Sequence, residues 1–584
     1  MECKIKESGV SATVENIEWE RIHLTLTVRL KFEENKICNV DELAFYAVNN
    51  LGECGIKFDV SRVESDLVKL HVNVTNNGEI RCVPRGTYRI FVCEKLYILA
   101  ECETSSKIAD QLEAMSRNFL YGGRGNAYNV TFYIEDGTET LPFRMHCIAL
   151  GATGVAFPQN PHFLNKINLV NALKVCYLSS RPILRRIYKG YSFLYKKRRK
   201  NTVLFMTEQS NKIASNLKAV SERMIERQLD SRYRLLYSAR PAAAEPQSKM
   251  SWIKLMKVLA QSGMIFIDDH APVFDWLKLD DDTTLVQLWH AGAGFKSSGY
   301  SRWGHDGCPA PQSCHRQYKY GIAGSKNIAP FFSEVWGIND EQVLPTGMPR
   351  MDEYLDEQHK SEKIKELYTQ FPMCKNKKVI LFAPTYRGRN KKTAYYPYEL
   401  IDFEKLYQIC GDEYVVMFKM HPWVNEDIVI EKKYSDKFLD VKTYPNINDL
   451  FYVVDLLITD YSSNIFEYSL MKKPMLFFAF DKIQYSFSRG FHRDYEESAP
   501  GKVCYTFEEV LTAIVNKDFE YEKVEQYITN HFDYIDSGSS DRVIDWILLG
   551  KMPENISDAI KKKQEEMQYI HTLDFETVML AQQK

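Results

Sequence analysis

Two histidines and a group of cationic and hydroxyl side chains fall where apolar runs end. His290 follows the run 285–289 and enters Ala291-Gly292-Ala293-Gly294-Phe295-Lys296. An imidazole there can take a proton from an attacking hydroxyl. Small neighbours let backbone N–H groups approach a ligand, and Lys296 adds positive charge. The plainer alternative is a histidine that ties down a Gly-rich turn. Arg387 lies in Pro384-Thr385-Tyr386-Arg387-Gly388, after the run 379–382. A guanidinium there can clamp phosphate in bidentate fashion. Lys419 and His421 close the run 415–418 in Lys419-Met420-His421-Pro422, and both can donate to phosphate oxygens. Thr459-Asp460-Tyr461-Ser462-Ser463 closes the run 456–458 and opens a helical segment through Glu467. The Ser462 and Ser463 hydroxyls, with the unsatisfied N–H groups of a helix start, make an anion site. An ordinary N-cap is the bland reading of the same residues. Glu467 lies one turn on, on the face of Ser463, placed to accept from ribose hydroxyls.

Taken together, these groups suit a diphosphate ligand whose leaving and transferred parts both need charge neutralised. Neither Gly-x-x-x-x-Gly-Lys-Ser/Thr nor an intact Gly-x-Gly-x-x-Gly occurs, which disfavours an ATPase or a nicotinamide enzyme. His305, Cys308, Cys314 and His315 form a rival zinc set, but their spacing matches no usual finger and the loop holds Pro309 and Pro311. The reading is of no metal site and no cofactor.

The elements that must position these residues come in two styles. Residues 1–140 alternate with period two, as in 22–30 and 68–74, with turn residues between; this predicts a β-rich accessory domain, an antiparallel β-sandwich. From residue 201 continuous apolar strands alternate with helices, which predicts an α/β fold with parallel sheets covered on both faces. The strands are 202–206, 234–237, 264–267 and 285–289, then 379–382, 415–418, 456–458 and 475–478. Two doubly wound, Rossmann-type domains in tandem follow, 201–355 with the base and 356–545 with the phosphate groups. Ligand groups belong at the C-terminal ends of such strands. Residues 141–200 read as a linker with a basic amphipathic helix, and 546–584 as a helical tail.

The chain has 584 residues, 45% hydrophobic and 26% charged, too long for one core. A net charge of -2 gives no general case for nucleic acid. The 13 cysteines contain no Cys-x-x-Cys pair, which points to a reducing compartment. No secretory signal or membrane-length apolar run is read, so the expectation is a protein in the cytoplasm or attached to the membrane from that side. In 181–200, Leu184, Ile187, Tyr188, Tyr191, Leu194 and Tyr195 recur at helical spacing beside Arg185, Arg186, Lys189 and 196–200. That composition suits an anionic membrane surface, or a basic helix packed on the next domain.

In this order, Trp289-His290 with Lys296, Gly347-x-Pro349-Arg350-x-Asp352, 382–387, 419–422 and 459–463 resemble the CDP-glycerol glycerophosphotransferase family, the teichoic acid primases and polymerases. Glu208 with 216–218, and Arg489-Gly490-Phe491 with Pro500-Gly501, resemble its flanking motifs. The likeness covers about 200–545. It implies a GT-B-like fold with the site between two domains, attack of a polymer hydroxyl on the β-phosphorus of CDP-glycerol, and release of CMP. It implies His290 as general base and His421 on the diphosphate. Arg387, Ser462 and Ser463 would hold phosphate, with Asp460 and Glu467 near the nucleotide. It also implies a lipid-linked polymer acceptor, of the wall or capsule, at the inner membrane face. The family's His-Gly-Thr-Pro-x-Lys is here one residue longer, His290 to Lys296, which alters the pocket wall beside the base. Ribitol-phosphate transfer from CDP-ribitol, a sugar-nucleotide glycosyltransferase and a non-catalytic wall-polymer binder are the alternatives. The oligomeric state is not read from the sequence.

Overall fold

The computed structural model describes residues 1–6, 9–33, 40–122, 125–135, 140–151, 180–240, 247–292, 295–388, 391–576 and 579. Most of the expected linker before residue 180 lies outside them, as do Ala293 and Gly294 of the small-residue turn.

Both α/β halves carry six parallel strands. In the first, the order is Arg234–Ala239, Thr202–Thr207, Met264–Ile267, Thr284–Gln287, Tyr318–Ile322, Val343–Leu344. In the second it is Phe438–Asp440, Tyr414–Phe418, Lys378–Phe382, Leu456–Thr459, Met475–Phe478, Lys502–Cys504. Every strand residue of Thr202–Thr207 and of Leu456–Thr459 is buried, the pattern of strands covered on both faces. In the second half the order reverses between Lys378–Phe382 and Leu456–Thr459, and ligands of such sheets lie beyond the strand ends at that crevice. The inner strand 318–322 and the edge strands 343–344, 438–440 and 502–504 carry no clear sequence signal, being short or mixed in polarity.

The two halves are joined by more than a linker. One apolar cluster runs from Val203 and Phe205 through Val379 and Leu457 to Ile544. The segment after the second sheet turns back onto the first half, where the Ser539 and Ser540 N–H groups donate to the Asp352 carboxylate at 2.8 and 2.7 Å. Arg223 Nη2 lies 2.8 Å from Asp541.

The N-terminal region is a twelve-stranded, mostly antiparallel sheet system ending with Phe143–Gly151, a strand beyond the boundary expected at 140. Its core takes in Tyr300 and Trp303 from the first α/β half. The tail forms the helix Glu554–Thr572, and Ile570, Leu573 and Phe575 pack against Tyr46 and Phe91 of the sheet.

The basic helix is Ser180–Tyr195. Of the two readings of this helix, packing on the next domain takes part of its apolar face: Leu184 and Tyr188 are buried in one cluster with Leu255, Leu259 and Phe274. Phe193 (83% exposed) and Leu194 (70%) stand outside that packing, next to Lys196 and Lys197, as does Ile183 nearer the helix start. Arg199 is buried and paired with Asp280 at 2.6 Å and Asp282 at 2.8 Å. Among the described residues no helix is long and apolar enough to cross a membrane.

Candidate active site

His290 is positioned by an asparagine and a strained turn. Trp289 sits at φ +50°, a left-handed conformation that a bulky side chain adopts only when its surroundings impose it. The fully buried Asn216 imposes it: its Nδ2 donates to the carbonyls of Leu288 and Trp289, both at 2.8 Å, and its Oδ1 accepts from the Arg350 N–H at 2.9 Å. Gly292 then passes so close to the Phe466 ring that a Cβ would lie 2.5 Å from it, so the loop after the base rests directly on the helix Ile465–Ser469 of the other half.

The imidazole keeps its Nδ1 3.1 Å from the Asp268 carbonyl and 3.5 Å from Asp269 Oδ2. A carbonyl only accepts, so Nδ1 carries the proton and Nε2 is left as the acceptor. Asp269 is placed to stabilise the imidazolium that proton uptake creates. The side chain is half exposed, on the wall of a cavity of about 330 Å³. Lys296, Ser463, Tyr461, Arg302, Arg489 and His492 are among its other walls. His290 and Ser463 therefore share one space between the two halves.

Lys296 is held there by a backbone pairing with Phe491, flanked by Ser297 N–H to the Gly490 carbonyl at 3.2 Å and His492 N–H to the Phe295 carbonyl at 2.8 Å. Burial pushes its ammonium down to about 8, opposed by Asp460 and reinforced by Arg489 and Arg387. His421 is pushed down to about 4 by burial and by Lys296. Its Nδ1 accepts from the Trp423 N–H at 3.1 Å, so the neutral ring offers Nε2–H as a donor. Tyr386 packs on it at 4.7 Å. At neutral pH His421 is therefore a hydrogen-bond donor rather than a cation.

Several expected phosphate contacts are occupied by protein. Arg387 is buried, with Nη1 2.8 Å from Asp460 Oδ2, and Nε and Nη2 at 2.6 and 2.9 Å from Asp481. Asp460, fully buried, also accepts from the Thr385 and Tyr461 N–H groups at 2.8 and 2.6 Å. These two residues brace the ends of strands 378–382 and 456–459. Lys419 Nζ donates to the Lys442 and Tyr444 carbonyls, both at 2.6 Å. Glu467 is buried on Arg350, at 2.9 Å from its Nε, while Arg350 Nη1 donates to the His290 carbonyl at 3.0 Å. Ser463 is exposed and Ser462 half-buried, its Oγ accepting from the Asn464 N–H at 3.3 Å. His290, Lys296, His421 and the two serines are the groups from the sequence reading with polar atoms still to offer.

The rival zinc residues do not converge. Cys314 lies with His270 and Asp275, their ligand atoms all within 4.8 Å. His315 instead bonds the Tyr318 hydroxyl through Nδ1 at 2.9 Å. Sequence reasoning passed over Asn216 as a positioning group, Asp268 and Asp269, and Arg302; they become meaningful only once the loops meet.

A mixed α/β protein with two parallel sheets and an imidazole facing cationic side chains across one cavity is the class so defined. Residues 190–549 match the family model of CDP-glycerol:poly(glycerophosphate) glycerophosphotransferase, and the chain belongs to that family. It is 38% identical over 364 residues to a teichoic acid poly(ribitol-phosphate) polymerase of Bacillus spizizenii, covering 62% of this chain and 58% of that one. It is 36% identical over 430 residues to a teichoic acid ribitol-phosphate polymerase of Staphylococcus aureus, covering 73% of this chain and 83% of the relative. The chain thus spans little more than half the length of the first. A solved structure of the wall teichoic acid polymerase TagF shares the fold, with TM-score 0.51 and 21% identity over 67% of this chain and 97% of that one.

Proposed function

We propose that this chain transfers an alditol phosphate from a CDP-alditol to a hydroxyl of a teichoic acid polymer, on a GT-B-like pair of lobes, and releases CMP. The observation that carries the reading is His290, with Nδ1 on the Asp268 carbonyl and its Nε2 as the acceptor, sharing one cavity with Lys296 and Ser463. In the reaction Nε2 takes the hydroxyl proton. The oxygen attacks the β-phosphorus, and the bond from that phosphorus to the bridging oxygen breaks. CMP leaves with the electron pair, its charge met by Lys296, the His421 Nε2–H and the serine hydroxyls. Positioning and charge neutralisation supply most of the rate in such transfers.

Glycerol as the alditol is supported by the family description; ribitol is supported by both relatives named above. We put CDP-ribitol first. A panel of CDP-ribitol, CDP-glycerol and sugar nucleotides, scored by released nucleotide, tests both levels. CMP from a CDP-alditol supports the reading. A nucleoside diphosphate from a sugar nucleotide, with no CMP from either alditol donor, overturns it. Attachment to an anionic membrane surface is part of the proposal, supported by exposed Phe193 and Leu194 beside Lys196 and Lys197. Cosedimentation with anionic vesicles, lost in Phe193→Ser/Leu194→Ser, tests that part.

A further inference from the structure

The N-terminal β region lies outside the family-matched residues, yet it fixes two walls of the cavity. Trp303 is buried in the β-region core, its ring 5.0 Å from both Phe119 and Tyr128. Tyr300 is buried in the same core. The turn Gly299–Arg302 is therefore pinned at both ends, and Arg302 lines the cavity. On another wall, His492 Nε2 lies 3.0 Å from Glu334 Oε2, and Glu334 is held by Arg21 at 3.0 Å and His23 at 3.1 Å, both from the β region.

Arg302 has no obvious structural employment. Its Nε is buried without a hydrogen-bond partner, and among the described residues it makes no ion pair. Burial and the nearby Arg489 charge both lower its proton affinity. Arg489 reaches the Tyr386 hydroxyl at 3.1 Å. The cavity walls hold Lys296, Arg302 and Arg489 with no carboxylate, and His421 is not among them. Two guanidiniums left to repel each other beside a general base call for an anion between them. The hydroxyl that reaches His290 belongs, on the transfer reading, to an alditol whose own phosphodiester is a few bonds away.

We propose that Arg302, with Arg489, forms a subsite for the phosphodiester of the acceptor's terminal unit, and that the β region holds Arg302 in register. The proposal rests on the alditol-phosphate transfer reading. The test compares soluble acceptors with and without one alditol-phosphodiester unit, using the full chain. The unsubstituted protein should favour the phosphodiester acceptor. Arg302→Gln should raise that acceptor's KM roughly tenfold, as loss of a charge-assisted contact does, with the CDP-alditol KM changed less than about twofold. Arg302→Lys should recover part of it. Phe119→Ala, which loosens Trp303, should shift the acceptor KM in the same direction. A rise in the donor KM instead assigns the guanidinium to the diphosphate and overturns the proposal, as does equal use of the two acceptors. Calorimetric binding of a short poly(alditol phosphate), with and without Arg302→Gln, reads the subsite without turnover. Binding that depends on Arg302 in a protein that releases no CMP would overturn the transfer reading alone; binding that ignores Arg302 overturns the subsite.

Discussion

Arg350 and Glu467 form a part-buried ion pair, and the same guanidinium donates to the His290 carbonyl at 3.0 Å. One residue comes from the end of the first parallel sheet's domain and the other from the helix Ile465–Ser469, just after the serine pair. The pair ties the His290 turn to the loop that carries those serines, and it sets the first expectation.

Glu467→Gln leaves the part-buried Arg350 guanidinium without its countercharge. Losing a charge-assisted contact of this kind costs about 2 kcal/mol. Chemical denaturation should show that loss, together with a fall in turnover. If CDP-alditol affinity drops while stability is untouched, Glu467 contacts the nucleotide, as the sequence reading had it.

His290→Ala removes a half-exposed side chain, so the thermal midpoint should stay within the error of the unsubstituted protein. Turnover should fall by about 100- to 10,000-fold, the usual contribution of a general base. Near-normal rates with a CDP-alditol and acceptor would sink the base assignment.

Lys296 is cationic below about pH 8 and loses its charge above it. Donor KM should therefore rise through pH 8, and Lys296→Arg should remove that limb of the profile. The effect on stability has the opposite sign. The unfolded chain binds the proton up to about its usual 10.5 while the folded one has released it, so the ligand-free protein should gain stability from about pH 8 to 10.5. Denaturation curves across that window check the sign by comparison with Lys296→Met.

Glu334 gathers Arg21, His23 and His492 at one junction of the β region with both α/β halves, and these partners hold its carboxyl well below the usual carboxylate range despite burial. Its contribution is present above the unfolded value of about 4.5 and is lost as pH falls toward the depressed folded value. Glu334→Gln should cost about 3 kcal/mol and separate unfolding of the β region from that of the α/β halves. Limited proteolysis near residues 105–122 would report the loosening. A single unchanged transition would remove the junction from the account.

What the residues alone settled was the alternation of core strands with helices and the ends of strands where polar groups gather. The continuous apolar runs at 202–206, 379–382 and 456–458 could only be strands buried on both faces, and a proline or a Ser-Ser pair after such a run marks its end. The motifs around His290, 419–422 and 459–463 carried the family resemblance for the same local reason. Which of those polar groups remain available was decided by the tertiary structure. Arg387, Asp460, Lys419 and Glu467 found protein partners because burying a charge is costly unless it is paired, and their partners at 481, 444 and 350 are distant in sequence. The meeting of Trp303 with Phe119, and of Glu334 with His23, likewise rests on apolar and charged surfaces that match only after both domains have folded. No periodicity within either segment encodes that match.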